Sequence, residues 1–337
     1  MAMAEQTTRD DVISIVVPAH NEEPGLEEFV RRVEGVMTGA GLRFEIVLVN
    51  DGSTDGTLAE MRRLRSKNDT ITIVNLSRNF GKEIAMTAGI AHARGDALVI
   101  IDADLQDPPE LIPEMVTTWR EGYDTVYAQR ITREGESWFK KFTARAFYRT
   151  VAAMGPAPIP PNVGDFRLIS RRVADALLRL PEQHRFMKGL YAWVGFPHKA
   201  ITFNRDVRFA GATKWNYWKL WNLALEGITS FTIAPLKIAT YLGLTVAAYA
   251  FAYGAYIVIR TLIMGDPVPG FPTVIVTVLF LGGVQLIVLG LLGEYIGRVF
   301  NETKRRPLYL TESVTWADIG VKSKKVRRGA YRFRPRG

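Results

Sequence analysis

At 337 residues the chain is long enough for one large or two modest domains, it is 47% hydrophobic, and it contains no cysteine. Disulfides, thiolate nucleophiles and cysteine-ligated zinc are thereby excluded. The formal charge of +9 is concentrated in residues 321–337, which hold eight Lys or Arg and no acid, so the body is close to neutral and nucleic acid is not its expected partner.

In chain order, the apolar run over residues 12–17 predicts a buried strand, too short for a signal peptide. Pro18-Ala19-His20-Asn21-Glu22-Glu23 follows, then a helix over 25–37. A second strand, 44–49, ends in Asn50-Asp51-Gly52-Ser53-Thr54-Asp55-Gly56-Thr57. Then come a helix over 58–65, a strand at 71–74, a helix over 83–93 and a strand from Ala97 to Ile101 that ends in Asp102-Ala103-Asp104-Leu105-Gln106-Asp107. This alternation implies an α/β fold with a parallel, doubly wound sheet and helices on both faces. Ligands bind such sheets at the carboxyl ends of the strands, where every one of these polar clusters falls. A helix to about residue 120 and a strand at 124–128, ending in Gln129-Arg130, extend the pattern.

Asp102 and Asp104 are two apart, so on an extended strand end they point the same way. Two such carboxylates repel unless a proton or a metal lies between them. Gln106 repeats the spacing and adds a neutral oxygen, and a set of hard oxygens suits Mg²⁺ or Mn²⁺ rather than zinc. The competing reading is an acidic turn closed by Pro108-Pro109 and the cap of the next helix. Asp51 has two readings as well: acceptor for a ribose or base, or Asx-turn and helix cap. Neither a Gly-x-Gly-x-x-Gly turn nor a Gly-Lys-Ser/Thr loop is present, which argues against a dinucleotide enzyme or a P-loop NTPase.

Downstream, residues 138–150 mix Trp138, Phe139, Phe142, Phe147 and Tyr148 with Lys140, Lys141, Arg145 and Arg149. That is the composition of an interfacial helix, or of a core helix with snorkelling bases. A loop with four prolines, 155–161, then delivers the chain to Gly164-Asp165-Phe166-Arg167. A second aromatic and basic segment, 215–226, precedes 22 uncharged residues at 238–259 and 20 at 273–292. Each uncharged run is long enough to span a bilayer. Lys214, Lys219, Lys237, Arg298, Lys304, Arg305 and Arg306 flank the outer ends of the pair, which puts the body and the C-terminus in the cytoplasm. The expected organisation is a cytoplasmic domain over 1–231, two transmembrane helices within 232–300 and a basic tail over 301–337.

Val17 to Glu23, Asn50-Asp51-Gly52-Ser53, Asn79-Phe80-Gly81-Lys82-Glu83 and Asp102 to Asp107 resemble the motifs of family 2 glycosyltransferases with the GT-A fold. Asn162 to Leu168, Phe186-Met187-Lys188-Gly189, Trp218 to Phe231, Leu279 to Gln285 and Leu292 to Arg298 are similar to bacterial polyprenyl-phosphate glycosyltransferases, of the bactoprenol glucosyltransferase kind. The resemblance runs over roughly residues 12–310. It implies transfer of glucose from UDP-glucose to undecaprenyl phosphate on the cytoplasmic face of the bacterial inner membrane, with inversion, for O-antigen or cell-envelope glycans. By the same resemblance Pro18, Ala19, Glu22 and Asp51 line the uridine site, and Asp102, Asp104 and Gln106 hold the metal on the diphosphate. Lys82 and Arg130 would add positive charge there, while Asp104, Asp165 and Arg130 are the candidate catalytic groups. His20 departs from the family pattern, which has Tyr or Phe at that place.

Breaking a glycosyl–phosphate bond leaves negative charge on the nucleotide, which a divalent cation with nearby Lys or Arg stabilises. Arg205, Arg208 and Lys214 form a candidate clamp for the acceptor phosphate, the alternative being ordinary positive-inside charge. That phosphate has its second pKa near about 6, so its attacking oxygen needs no base. Asp165 is accordingly expected to orient a neighbouring cation and to stay ionised. Alternatives are another donor, such as GDP-mannose or a modified UDP-sugar, and a non-catalytic scaffold that recruits a flippase. A processive polysaccharide synthase is disfavoured because a Gln-x-x-Arg-Trp signature is absent. The lipid bilayer is an expected partner, and self-association or a flippase contact is compatible with this setting.

Overall fold

The computed structural model describes residues 11–130, 163–180, 182–183, 185–203, 234–264 and 270–320. The expected interfacial segments at 138–150 and 215–226, the clamp residues Arg205, Arg208 and Lys214, and the tail at 321–337 lie outside the described residues. The chain divides into two compact units, one carrying the sheet and the other carrying two long helices.

The sheet begins with β1 (Val12–Ala19), buried along its whole length as a strand covered on both faces must be. Next comes α1 (Glu23–Gly39), which buries Leu26, Phe29, Val30, Val33 and Met37. That spacing is a single apolar stripe at helical period. Then follow β2 (Arg43–Asn50), α2 (Thr57–Lys67), β3 (Ile71–Leu76), α3 (Lys82–His92) and β4 (Ala97–Ile100). Strand β1 pairs in parallel with both β2 and β4, and β2 pairs in parallel with β3. Beneath them Ile13, Ile15, Ile46, Leu48 and Phe29 form part of one apolar core and are closed to solvent. Each such side chain contributes about 1.5–3 kcal/mol relative to exposure.

Helix α4 (Ile112–Arg120) and strand β5 (Thr125–Arg130) come next, then β6 (Val163–Ser170), α5 (Arg171–Leu178), α6 (Met187–Trp193) and β7 (His198–Phe203). With β8 (Thr311–Thr315), the sheet formed by the described residues has eight strands in the order β7-β5-β6-β4-β1-β2-β3-β8. Strand β6 runs antiparallel between β4 and β5, so the sheet is mixed, with parallel pairing among β1 to β4 and again between β5 and β7. The segment to which the proline-rich loop delivers the chain, for which the sequence suggested no element, is thus an internal strand. Ser170 ends it and caps α5, its hydroxyl accepting from the Val173 N–H at 3.3 Å.

The second unit holds α7 (Ala234–Met264, 31 residues) and α8 (Phe271–Thr303, 33 residues). Among the described residues one stretch, Phe280–Thr303, is long and apolar enough to cross a membrane. Beyond α8, within the segment expected as tail, β8 (Thr311–Thr315) pairs antiparallel with β3 and closes that edge of the sheet.

Candidate active site

The site grows from the carboxyl edge of β1, β2 and β4. Asp51, just past β2, is 3% exposed, and its carboxylate accepts from the backbone N–H of Phe80 at 2.7 Å and of Gly81 at 2.9 Å. It fastens the loop that opens α3. Gly52 beside it has φ 60, and Gly81, immediately before α3, has φ 97. Both angles are in the region that glycine adopts without steric cost. The result fixes Lys82 and Glu83 as the first residues of a helix aimed at the acidic strand end.

There the expected alternation holds for four residues: Asp102 and Asp104 are half-exposed, while Ala103 and Leu105 are buried. The alternation is not that of the expected strand end, however: β4 stops at Ile100, Ala103 and Asp104 form a turn, and Leu105 follows at φ 54. Gln106, expected as a third metal ligand, and Asp107 are therefore turned inward, at 6% and 3% exposure. The Gln106 N–H donates to Asp104 Oδ1 at 3.2 Å.

Lys82 is the hinge of the cluster. Its ammonium donates to Asp102 Oδ2 at 2.7 Å and to Asp165 Oδ2 at 2.6 Å. Burial opposes its charge, but the two carboxylates outweigh that and hold its pKa well above the ordinary lysine value. Asp165 is likewise resisted by burial, yet Lys82, Lys188 and Arg167 keep its carboxyl below the usual carboxylate range. Burial moves Asp102 the other way, upward, with Lys82 only partly compensating and Asp165 and Asp104 adding repulsion. Lys82 is the cation bonded to two of these acids, while Lys188 and Arg167 act on Asp165 from further off.

A ring of groups below completes it, none of them assigned a role from sequence. Glu83 accepts from the Met187 N–H at 3.2 Å, and burial together with the Asp165 charge pushes its carboxyl up to about 7. Arg167 is 4% exposed, donates to the Gly164 carbonyl at 2.8 Å and lies over the Tyr191 ring at 3.8 Å from its centroid. Glu83 and Lys188 were visible only as members of motifs, and no local pattern marks the packing of α6 against α3.

Of the remaining expected residues, Pro18 and Ala19 are buried in the end of β1, and Glu22 is half-buried with its N–H donating to Thr57 Oγ1 at 2.9 Å. His20 is exposed, with Nδ1 2.8 Å from the Asp51 carbonyl and Nε2 3.2 Å from Asn79 Nδ2. Arg130 ends β5, in register with Phe203. Among the described residues no group of three or more His, Cys, Asp or Glu is gathered for a metal. Two half-exposed carboxylates do match a hard divalent ion that takes its other ligands from phosphate and water.

Residues 14–178 match the model of glycosyl transferase family 2, and residues 234–299 match the GtrB C-terminal hairpin. Over 302 residues the chain is 54% identical to an uncharacterized glycosyltransferase of Synechocystis sp., spanning 90% of this chain and 95% of that one. The chain belongs to glycosyl transferase family 2. This glycosyltransferase is also 47% identical over 301 residues to the bactoprenol glucosyl transferase of Shigella phage SfX, covering 89% of this chain and 99% of that one. A crystal structure of glucosyl-3-phosphoglycerate synthase from Mycobacterium tuberculosis overlaps more distantly, with TM-score 0.44, 21% identity, and 65% of this chain and 78% of that one covered. In this glycosyltransferase the Asp102 to Asp107 cluster follows β4 at the carboxyl edge of the mixed sheet.

Proposed function

We propose that this glycosyltransferase moves a hexose, glucose in the first instance, from a UDP-sugar to polyprenyl phosphate, with inversion, at the cytoplasmic face of a bacterial membrane. The name of relatives nearly half identical to it supports the acceptor and the sugar. The observation that carries the reading is the ion cluster of Lys82, Asp102 and Asp165 at the end of β4, beside Asp104.

Asp102 and Asp104 would hold Mg²⁺ or Mn²⁺, with Gln106 contributing only if it turns out of its buried position. A bound divalent ion supplies neutralisation of the charge that grows on the leaving nucleotide. Lys82 adds a second positive charge to the same diphosphate, and Asp165 stays ionised and keeps Lys82 aimed. No general base is required, because the acceptor oxygen is already largely anionic above about pH 6. Pro18, Ala19, Glu22 and Asp51 shape the nucleoside side, Asp51 through the loop it fastens. Arg130, and Arg205, Arg208 and Lys214 as the acceptor clamp, complete the positive surroundings. Helices α7 and α8 cross the bilayer as a hairpin, with domain and C-terminus on the cytoplasmic side.

The test is UDP release from UDP-glucose with and without undecaprenyl phosphate, followed by mass spectrometry of the lipid product across a panel of UDP- and GDP-sugars. Release that needs the lipid, with one hexose added to it, is expected. Release without the lipid would remove the acceptor, and a product formed from GDP-mannose alone would replace the donor.

A further inference from the structure

Strand β8 is short and exposed, yet one of its residues bonds to a buried side chain of the neighbouring strand. Along its pairing with β3, Ile73, Val74 and Asn75 face Thr315, Val314 and Ser313, whereas Leu76 faces Thr311. Glu312 is thus the extra residue of a bulge, and a bulge re-aims the side chain it carries. Its carboxylate accepts from Asn75 Nδ2 at 2.8 Å. Asn75 and Asn50 are register partners across β3 and β2, each 3% exposed, and Asn75 Oδ1 accepts from Asn50 Nδ2 at 2.7 Å. Asn50 Oδ1 accepts from the Ser53 N–H at 3.2 Å, and Ser53 Oγ accepts from the Asn21 N–H at 3.1 Å.

This relay has a direction. An ionised carboxylate can only accept, so Asn75 must turn its NH₂ to Glu312 and its carbonyl to Asn50. Asn50 must then turn its carbonyl to Ser53. The Ser53 N–H, which can only donate, imposes the same orientation from the other end, so the charge on the edge strand completes and holds the ordering of two buried amides and the hydrogen bonds of residues 50–54 and 20–21. Those are the loops at the carboxyl ends of β2 and β1.

We propose that Glu312 is a positioning residue for the nucleotide-binding loops, acting through Asn75 and Asn50; this rests on the reading of those loops as the donor site. The strand that returns from the helical hairpin then belongs to the donor site as well as to the sheet edge. Only residues 304–310 connect α8 to it.

The experiment compares full-length wild type, Glu312→Ala and Glu312→Gln in detergent micelles, with UDP as the binding probe. Calorimetric UDP affinity, donor KM, kcat and acceptor KM are measured beside hydrogen exchange of the peptide containing Ser53. Loss of the charged acceptor in Glu312→Ala is expected to weaken UDP and raise donor KM about tenfold, and to speed exchange at Ser53. Turnover and acceptor KM should stay within about twofold. Glu312→Gln should recover most of the loss, because its carbonyl can still accept from Asn75. Unchanged exchange and UDP affinity in Glu312→Ala overturn the proposal, as does a fall in kcat that Glu312→Gln does not rescue. Wild type that binds no UDP sinks the donor reading instead, and the exchange measurement still decides the relay.

Discussion

At the scale of the residue, the centre of the site is a set of carboxylates gathered around the ammonium of Lys82. Asp104 is the member half-exposed beside Asp102, and Asp104→Asn removes one charge from the proposed cation site without changing volume. Transfer should fall by at least about a hundredfold while the melting temperature changes little, since the position is half-exposed and the Asn Oδ1 can still accept from the Gln106 N–H. Metal-dependent turnover at the wild-type rate would remove the centre of the proposed function. Glu83 offers a test of stability instead. Its carboxyl is raised from its ordinary 4.5 to about 7 in the fold, so between those values the folded protein binds more protons than the unfolded one. Stability therefore falls as pH rises through that window. Glu83→Gln cannot lose a proton and should flatten the fall, read as melting temperatures at about pH 5 and about pH 8. An unchanged slope in the variant would show that Glu83 is not the group responsible.

At the scale of the element, α3 is aimed by the loop that precedes it, and that loop tolerates little. A Cβ added at Gly52 would run into the backbone of Arg78 and Asn79, at a φ of +60 that side chains rarely adopt. Backbone cannot swing aside as a flexible side chain can. Gly52→Ala should cost about 1–3 kcal/mol and weaken nucleotide binding, because the Asp51 bonds to Phe80 and Gly81 are displaced with it. Normal melting and normal UDP affinity would show that the loop relaxes freely. Strands β1 to β4 were legible because strands covered on both faces read as unbroken apolar runs bounded by polar clusters. Strand β6 was not, since its first turn of pattern, Val163-Gly164-Asp165, is half polar and its partners lie far away in sequence. Strand β8, Thr311 to Thr315, has no apolar alternation at all, because an exposed edge strand buries little. The site divides in the same way. Asp102 and Asp104 announce themselves by spacing, whereas the bridge from Lys82 to Asp165 joins residues 83 apart and is created only by the sheet.

At the scale of the whole molecule, the chain leaves the sheet after β7, forms α7 and α8, and returns to add β8. The return is fastened along its length. Leu310 accepts from the Ser77 N–H at 2.9 Å, the Ala317 N–H donates to Thr72 Oγ1 at 2.9 Å, and the Asp318 N–H donates to the Asp69 carbonyl at 2.8 Å. Arg94, already paired with the wholly buried Glu45 at 2.9 Å, reaches over the Trp316 ring. Two truncations separate this strap from the basic residues beyond it. A chain ending at Gly320 keeps every bond just named and loses eight Lys or Arg. It should melt with the full chain but lose the salt-sensitive part of its hold on anionic vesicles, about 1 kcal/mol for each base near the surface. A chain ending at Arg306 also loses β8 and uncovers the edge of β3, so it should melt lower and associate through that edge. Vesicle flotation at low and high salt, beside melting curves, reads both. Identical salt response in the full chain and the chain ending at Gly320 would deny the terminal bases a lipid role. Equal melting of the two truncated chains would mean that the returning strand decorates the sheet rather than holding it.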